Sequence, residues 1–372
     1  MNNEQISKFL QERIDAGDFP SAVYIVAEKG EIVFGDALGY AVVEPERIAA
    51  KIDTIYDLAS LTKPLVTGLI VTLLSEQGNV ILEKRVGEYL IEFDNADKRE
   101  ITVRDLMLHT SGLTAWQPFY LNTDNRAEIL PFIGELKRER PEGDSVVYSD
   151  LNFTVLMFLI ERLTGVRIDE AANNLILRPL KLTETRFSPP AALRPRIAAS
   201  EKGNEYERNT CVELGYAQAA RSDRFRDHQI WGEVHDGNAW FMGGVAGHAG
   251  LFSTAKEVYK IALQFLPNYT TLLKPQTCEL FRANFTLGLD EARSIAFQLA
   301  ETPESTAGSR MSPQSFGHLG FTGTSLWIDP KNERIFILLT NRTHAHPLPF
   351  VNINSVRRRF HDLANEALDE NN

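Results

Sequence analysis

Two stretches that read as strand pairs lie near opposite ends of this chain, and they constrain its fold more than any other feature. The first, SAVYIVAEKGEIVFGDALGYA at residues 21–41, predicts two strands that turn at Lys29-Gly30. The second, HLGFTGTSLWIDPKNERIFILLTN at residues 318–341, predicts strands whose turn lies at residues 330–333. Strands at both ends with helices between them predict an α/β (α+β) fold, in which one sheet is assembled from the two termini and a helical domain is inserted.

The middle of the chain, residues 60–240, carries mostly helical signals. Helices are predicted over residues 60–77 and over about 102–112. A third helix, DLNFTVLMFLIERLTG at residues 150–165, is so apolar that it should be buried. Residues 199–237 are polar and weakly periodic, and we therefore expect a long loop there.

Single helices are predicted outside the strands at each end, over about residues 4–17 and 354–368. Together these patterns predict a discontinuous α/β sheet domain formed by residues 1–58 and 243–372 and a mostly helical domain formed by residues 59–242. We expect the active site at the interface between the two domains.

The charge balance argues against a nucleic-acid partner. The formal net charge is -11, whereas binding to a phosphate backbone needs a basic surface. The one basic run, Arg357-Arg358-Arg359, lies in an amphipathic stretch, and we interpret it as a solvated helix face.

The cellular compartment is predicted from three negative observations. Cys211 and Cys278 are too few for a disulfide framework and lack metal-ligand spacing. The longest apolar run, residues 64–74, is too short to span a bilayer, so no membrane partner is expected. The first residues form neither a basic leader nor an apolar signal core. The sequence therefore predicts a cytoplasmic protein, or a periplasmic one if a leader has been removed.

The pattern Ser-x-x-Lys, which can set a lysine beside a nucleophilic serine, occurs twice. In the copy at residues 253–256, Thr254 and Glu257 have capping-box spacing ahead of an apolar-periodic helix, so a structural role explains everything there. The copy formed by Ser60 and Lys63 opens a helix that is almost wholly apolar after the lysine, so this turn should be buried.

If this turn is buried, Lys63 could activate Ser60 as a nucleophile. On a helix, positions i and i+3 share one face, with Cβ atoms about 5–6 Å apart. A desolvated lysine loses part of its preference for the charged form and can help to deprotonate a neighbouring hydroxyl. The unpaired N–H groups at a helix N-terminus also favour a developing negative charge. This turn alone is equally compatible with a serine N-cap whose Lys63 extends to solvent.

Two further motifs follow in an order that is typical of a known family. Tyr148-Ser149-Asp150 lies at the start of the apolar helix, and His318-Leu319-Gly320 lies at the start of a predicted strand. With Ser60 and Lys63, these motifs resemble those of the serine β-lactamase and penicillin-binding-protein superfamily, especially its class C-like esterase and carboxypeptidase branch. The resemblance extends over about residues 22–340, and it includes the phrases HTSGL (109–113), GGVAGHAGLFSTA (243–255) and GHLGFTGT (317–324).

The resemblance implies a β-lactamase/transpeptidase-like fold, with an antiparallel sheet flanked by helices, and a role for each motif residue. Ser60 would be the acylated nucleophile, and Lys63 and Tyr148 would share the proton transfers, with Tyr148 as a phenolate or a hydrogen-bond relay. The N–H groups of Ser60 and Phe321 would form the oxyanion hole. Gly320 would allow the strand to approach the substrate closely.

Two positions depart from the family pattern. Asp150 stands where many relatives have Asn, and an Asp accepts a hydrogen bond from Lys63 but cannot donate one to a substrate carbonyl. His318 stands where β-lactamases have a Lys that holds the substrate carboxylate, and a neutral imidazole would hold it less well. Both residues remain predicted substrate-binding groups, together with Gly320, and both favour ester or amide hydrolysis over β-lactam hydrolysis.

No metal or cofactor is expected. His235, His248, His344 and His346 lack a His-Glu-x-x-His helix or a cysteine ligand set, and no Gly-rich phosphate loop is present. The sequence His235-Asp236-Gly237-Asn238 fits either a substrate loop or a turn in which Asp236 and Asn238 bond their own backbone, and we favour the turn.

Four functions remain compatible with these observations. We favour a serine hydrolase that forms an acyl-enzyme on Ser60 with a small ester or amide. A peptidase specific for D-amino acids in cell-wall peptides is the first alternative, and a carboxylate-recognising residue near His318 would favour it. A weak β-lactamase is the second, and a non-catalytic ligand-binding or penicillin-sensor protein is the third. In each case the expected partner is a small-molecule or peptide substrate.

Overall fold

The computed structural model describes residues 3–371, and its main feature is an eight-stranded sheet. The strands of the protein are β1 (Ser21–Glu28), β2 (Glu31–Val42), β3 (Ile48–Ala49), β4 (Tyr56–Asp57), β5 (Arg186–Phe187), β6 (Leu251–Ser253), β7 (Arg293–Ser294), β8 (Phe297–Leu299), β9 (Phe316–Leu319), β10 (Ser325–Asp329) and β11 (Arg334–Thr340). The order in the large sheet is β3-β2-β1-β11-β10-β9-β8-β7, with antiparallel pairing throughout. The predicted antiparallel sheet built from both ends of the chain is therefore confirmed.

The helices cover both faces of this sheet. They are α1 (Glu4–Asp15), α2 (Leu69–Glu76), α3 (Val103–Leu108), α4 (Phe119–Asn122), α5 (Ile129–Glu135), α6 (Asp150–Thr164), α7 (Ile168–Ala172), α8 (Glu205–Glu213), α9 (Gly237–Phe241), α10 (Ala255–Ala262) and α11 (Asn354–Asn371). Helices α1 and α11 pack on one face, and the helices from the middle of the chain pack on the other.

Alternate residues of the central strand β1 belong to two different cores. Val23 and Ile25 pack with the helices of the middle region, whereas Tyr24 and Val26 pack with α1 and α11. Both faces are covered, so successive residues are buried and the strand reads as a nearly continuous apolar run. Strand β11 pairs with β1, with Ile25 opposite Ile337, and ties the end of the chain to its beginning.

The helical segment predicted over residues 60–77 is present, but its first turns are not α-helical. A 3₁₀ turn at Ala59–Leu61 is followed by a π-helical turn at Lys63–Gly68, and α2 begins only at Leu69. Pro64 has no N–H to donate, which removes one bond from the regular α ladder at this point. Irregular turns of this kind are frequent at functional sites.

Two other predictions about secondary structure need correction. The stretch at residues 249–266, whose apolar periodicity predicts one helix, is not a single helix, because β6 precedes α10 and pairs with β4 and β5 in a small antiparallel sheet. The segment 199–237 is not only a loop, because α8 lies within it. Helix α8 turns only Glu207 and Cys211 fully inward, so it lacks the apolar stripe by which a helix is recognised.

The strands of the large sheet fall within residues 21–49 and 293–340. The division into a sheet domain and a helical domain at residues 58/59 and 242/243 stays a prediction. Among residues 3–371, no helix combines the length and apolar character needed to cross a membrane.

Candidate active site

Ser60 lies in a tight turn that neighbouring segments hold in place. Ala59, which precedes it, has a φ of 48°, a left-handed conformation that non-glycine residues seldom adopt. The Asp57 side chain accepts a hydrogen bond from the Ala59 N–H at 2.9 Å. The hydroxyls of Thr322 and Thr324 donate to the carbonyls of residues 57 and 58 at 2.8 and 3.0 Å. The end of β9 and the serine turn are thereby joined.

Lys63 is fully buried, and its ammonium contacts three acceptors. Its Nζ atom lies 2.9 Å from Ser60 Oγ, 3.1 Å from the carbonyl oxygen of His248 and 2.7 Å from Asp150 Oδ1. The same Nζ lies 4.8 Å from the centre of the Tyr148 ring. The structure thus brings together the predicted serine, lysine, tyrosine and aspartate, and it excludes a Lys63 that extends to solvent.

The charge of Lys63 differs from the sequence-based expectation. Burial lowers the pKa of Lys63, but the attraction of Asp150 and Tyr148 outweighs this effect, so the pKa lies above its usual value. Tyr148 is 37% exposed, but desolvation of its hydroxyl raises its pKa, and the nearby Lys63 ammonium only partly offsets the increase. At neutral pH these directions favour an ammonium on Lys63 and a neutral phenol on Tyr148.

Tyr148 is positioned by the residues around the start of α6. The N–H of Ser149 donates to His109 Nδ1 at 3.0 Å, and the Ser149 hydroxyl donates to the Thr114 carbonyl at 2.7 Å. The Tyr148 ring lies 4.7 Å from the His109 ring and 5.7 Å from the His318 ring, between centroids. These contacts explain why HTSGL accompanies the tyrosine motif.

His318 is a neutral hydrogen-bond acceptor. Its Nδ1 lies 2.9 Å from the Leu319 carbonyl oxygen, so Nδ1 must carry the hydrogen and Nε2 keeps a free lone pair. Burial lowers the pKa of His318 well below its usual value, and Lys63 and Arg293 lower it further. Nε2 is buried and has no partner among residues 3–371.

Ser60 and Phe321, the two predicted oxyanion-hole residues, lie where the serine turn meets the end of β9. Among the described residues, the N–H groups of Ser60 and Phe321 donate to no other protein group. A Cβ atom on Gly320 would lie 2.6 Å from the Leu58 carbonyl oxygen. Glycine at 320 is therefore required by close contact with Thr324 and with the serine turn, and its part in the approach of the strand to the substrate stays a prediction.

A cavity of about 690 Å³ opens above these groups. The lining residues come from the motifs, from α8 and from the sheet edge: Ser60, Trp116, Tyr148, Tyr206, Glu207, Thr210, Leu214, Asp236, Glu291, Arg293, Gln298, His318 and Phe321 among others. The segment 199–237, which we expected to be a long loop, therefore contributes one wall of the cavity.

Arg293 is a lining residue that the sequence did not reveal. It is 4% exposed, and its Nη2 pairs with Glu291 Oε1 at 2.7 Å. Its Nε and Nη1 have no partner in the described part of the chain, and its guanidinium carbon lies 5.6 Å from the Tyr148 ring centre. It lies on a two-residue strand, which leaves no periodic signal in the sequence.

Arg357 contradicts the interpretation of the basic run as a solvated face. It is 5% exposed, and its Nη2 donates to the carbonyls of Gly320 and Thr324 at 2.9 and 3.0 Å. Burial and the nearby Arg342 lower its pKa to about 9. The spacing could have revealed this orientation, because Arg357 lies four residues after Ile353 and four before His361, both buried.

The segment from His235 to Asn238 combines parts of both interpretations. Asp236 Oδ1 accepts from the Ala239 N–H and caps α9, as the turn predicted, yet Asp236 also lines the cavity. Asn238 does not bond its own backbone, because it accepts from the Phe119 N–H and donates to the Gln117 carbonyl.

Asp150, Asp236 and His248 bring their polar atoms within 4.8 Å of one another. Two ion pairs account for this cluster. Asp150 pairs with Lys63 at 2.7 Å, and His248 Nε2 lies 3.0 Å from Asp236 Oδ1. We assign no metal to it.

Comparison with known proteins agrees with this geometry. The sequence matches the Beta-lactamase family model over residues 6–357. The chain belongs to the Beta-lactamase family. Proteins of Salmonella agona (strain SL483) and Escherichia coli (strain K12), both named "Putative D-alanyl-D-alanine carboxypeptidase", are 31% and 29% identical to it. The alignments cover 92% of this chain in each case, and 83% and 82% of the two relatives.

Solved structures of low sequence identity share the fold. EstCE1, a hydrolase with promiscuous acyltransferase activity, superposes with a TM-score of 0.74 at 18% identity, over 96% of this chain and 97% of that one. A class C beta lactamase also superposes with a TM-score of 0.74, at 14% identity, over 98% and 97% of the two chains. The predicted superfamily, fold class and serine hydrolase activity are confirmed, whereas the individual site residues stay predictions.

Gly320→Ala tests the contact between the strand end and the serine turn. Its Cβ would displace the Leu58 carbonyl, and with it the turn that carries Ser60, so we expect kcat/KM to fall by about 100-fold, as when an oxyanion-hole donor is lost. Gly78→Ala is the control for the loss of a glycine away from the site: its Cβ would have nothing within 4 Å, but its φ of 76° strains alanine, so we expect lower thermal stability with unchanged activity. Steady-state hydrolysis and thermal unfolding should be measured together. Full activity in a folded Gly320→Ala variant would contradict this role.

Proposed function

We propose that this serine hydrolase is a carboxypeptidase, which cleaves the last amide bond of a peptide with a free terminal carboxylate, through an acyl-enzyme on Ser60. One observation carries the proposal, namely that buried Arg293 lines the cavity and leaves two of its donor nitrogens unpaired. A planar guanidinium with free N–H groups is suited to a carboxylate. The names of the relatives support the same class of substrate.

The hydrogen bonds of Lys63 determine where the Ser60 proton can go. The ammonium has three hydrogens, and Ser60 Oγ, the His248 carbonyl and Asp150 lie within hydrogen-bonding distance of it, while the Tyr148 oxygen also interacts with it. Ser60 already accepts from Lys63, so it must direct its own hydrogen elsewhere. The Tyr148 oxygen, which interacts with both Lys63 and Ser60, is the acceptor in the site.

The reactive form of the site carries one proton fewer than the resting form. Lys63 and Tyr148 act as one unit, and the loss of one proton from this unit leaves a base beside Ser60. Ser60 Oγ then attacks the peptide carbonyl carbon while its proton passes to Tyr148. The N–H groups of Ser60 and Phe321 stabilise the negative oxygen of the tetrahedral intermediate.

Collapse of that intermediate breaks the C–N bond. Tyr148 returns its proton to the nitrogen of the leaving amino acid, and the acyl group stays on Ser60. Water then attacks the ester, with Tyr148 again accepting a proton, and Ser60 leaves as the protonated hydroxyl. His318 Nε2 holds a free lone pair in the cavity, and it accepts the N–H of a substrate amide rather than binding the carboxylate.

Ester hydrolysis is a second candidate, which the apolar part of the cavity wall favours. Trp116, Leu214 and Phe321 line the cavity and could hold an acyl chain. An esterase would not need the carboxylate interaction with Arg293, and this difference separates the two candidates.

Arg293→Met tests the proposed carboxylate site, because it keeps the apolar stem and removes the charge. We expect kcat/KM for an acetylated peptide ending in D-alanyl-D-alanine to fall by about 10- to 100-fold, the usual effect of losing a charge-assisted hydrogen bond. The same peptide with a C-terminal carboxamide should be cleaved slowly by the wild type and no more slowly by the variant.

Arg282→Met is the matched control, since Arg282 also pairs with a glutamate but lies outside the cavity. An equal rate for the acid and the carboxamide would reject carboxylate recognition. Turnover of short p-nitrophenyl esters by the wild type and not by Ser60→Ala, without peptide cleavage, would favour the esterase. A single acylation without release would indicate a penicillin sensor.

Asp150→Asn tests whether the unit formed by Lys63 and Tyr148 must lose one proton before it is active. The Asp150 carboxylate raises the pKa of both Lys63 and Tyr148, so its removal should lower both values. Activity requires the loss of one proton from this unit, so we expect the rising limb of the kcat/KM profile to move to lower pH. The exposed Asp144→Asn variant should leave the limb unchanged. A shift to higher pH would contradict the scheme.

A further inference from the structure

His248 is buried beside the proposed catalytic lysine, and its ring has a polar partner on each nitrogen. Nδ1 lies 3.1 Å from Thr154 Oγ1. That hydroxyl has one hydrogen, which it donates to the Asp150 carbonyl oxygen at 3.0 Å. Thr154 Oγ1 can therefore only accept from the ring, and Nδ1 of His248 must carry a hydrogen.

The second ring nitrogen must also carry a hydrogen. His248 Nε2 lies 3.0 Å from Asp236 Oδ1, and the ring is 1% exposed. Burial raises the pKa of Asp236, but the attraction of His248, the Ala239 N–H and Lys63 outweighs it, so Asp236 is ionised. A carboxylate only accepts hydrogen bonds. This hydrogen-bond pattern favours a hydrogen on both nitrogens of His248, which is the imidazolium form.

The imidazolium of His248 adds a second positive charge beside Lys63, opposite two carboxylates. Lys63 and His248 are positive, and Asp150 and Asp236 are negative, with their polar atoms closely grouped. His248 is connected to the lysine twice, because its backbone carbonyl accepts from Lys63 Nζ at 3.1 Å and its ring neutralises Asp236.

We propose that the Asp236–His248 ion pair sets the proton affinity of the unit formed by Lys63 and Tyr148, with His248 as a positioning residue for the acylation step. The inference rests on the proposed function in one respect, the assignment of Ser60 as the nucleophile and of Lys63 and Tyr148 as its proton acceptors.

The effect follows from the charges that remain when one member is removed. Without the His248 charge, two carboxylates face one ammonium, and the pKa of Lys63 should rise. Without the Asp236 charge, the imidazolium opposes a second cation, and the pKa of Lys63 should fall. Removing both charges restores the balance. The two single changes therefore act in opposite directions, which loss of packing would not produce.

Other titratable groups lie near Asp236 and need a control. Asp57, Glu207 and the buried Arg226 all interact with it electrostatically. Burial raises the pKa of both carboxyl groups, and for Glu207 to about 7. The pH profile should accordingly be repeated in a Glu207→Gln background, in which this titration is absent.

The test measures the rate at which a fluorophosphonate phosphonylates Ser60, with fluoride as the leaving group, as a function of pH, so it does not depend on the natural substrate. With His248→Gln, which keeps hydrogen-bonding capacity, we expect the rising limb to move to higher pH by about one unit. Asp236→Asn should move it to lower pH by a similar amount. The double variant should return it close to the wild-type position. His228→Gln, in an exposed histidine–glutamate pair, should move nothing.

Each outcome discriminates between explanations. Shifts in one direction for both single variants, or a double variant no closer to wild type than His248→Gln, would overturn the inference. If His248→Gln fails to fold, Asp236→Asn alone still tests the predicted sign. Equal labelling of Ser60→Ala would reject the nucleophile instead, so failure of the proposed function is seen separately.

Discussion

The structure depends on one buried charge, the ammonium of Lys63. A fully buried ammonium is costly, by several kcal/mol even after relaxation, unless oppositely charged and polar groups surround it. Asp150 supplies the counter-charge, and Ser60 and the His248 carbonyl accept the remaining hydrogens. Because these partners come from three separate segments, the burial of one side chain fixes how the serine turn, α6 and the strand β6 region meet.

The large sheet supplies the other half of the site, which is also held in place by a few hydrogen bonds. Strand β9 ends at Leu319, next to the serine turn, and the threonines that follow it donate to the carbonyls just before Ala59. Arg357 from α11 donates to the carbonyl of Gly320 on the other side. The segment that carries Phe321, the predicted donor of the second oxyanion-hole N–H, is therefore held by contacts to the nucleophile turn and to the last helix.

Much of this architecture could be predicted from the sequence, because the relevant signals are local. Strand pairs, the apolar helix α6 and the ordered motifs are visible as periodicity and spacing. The direction of the pKa shift of Lys63 could not be predicted, because it depends on how close Asp150 lies, and only the folded chain defines that distance. Helix α8 and Arg293 escaped recognition for a related reason: their functional faces are polar and have no apolar pattern around them.

The measurement that tests the account most directly is the mass of the protein during turnover of a peptide ending in D-alanyl-D-alanine, quenched in acid and followed by peptide mapping. The account predicts an adduct equal to the acyl part of the peptide, without its last residue, on the fragment that contains Ser60. An adduct on any other fragment, or peptide cleavage with no adduct at any quench time, would contradict it.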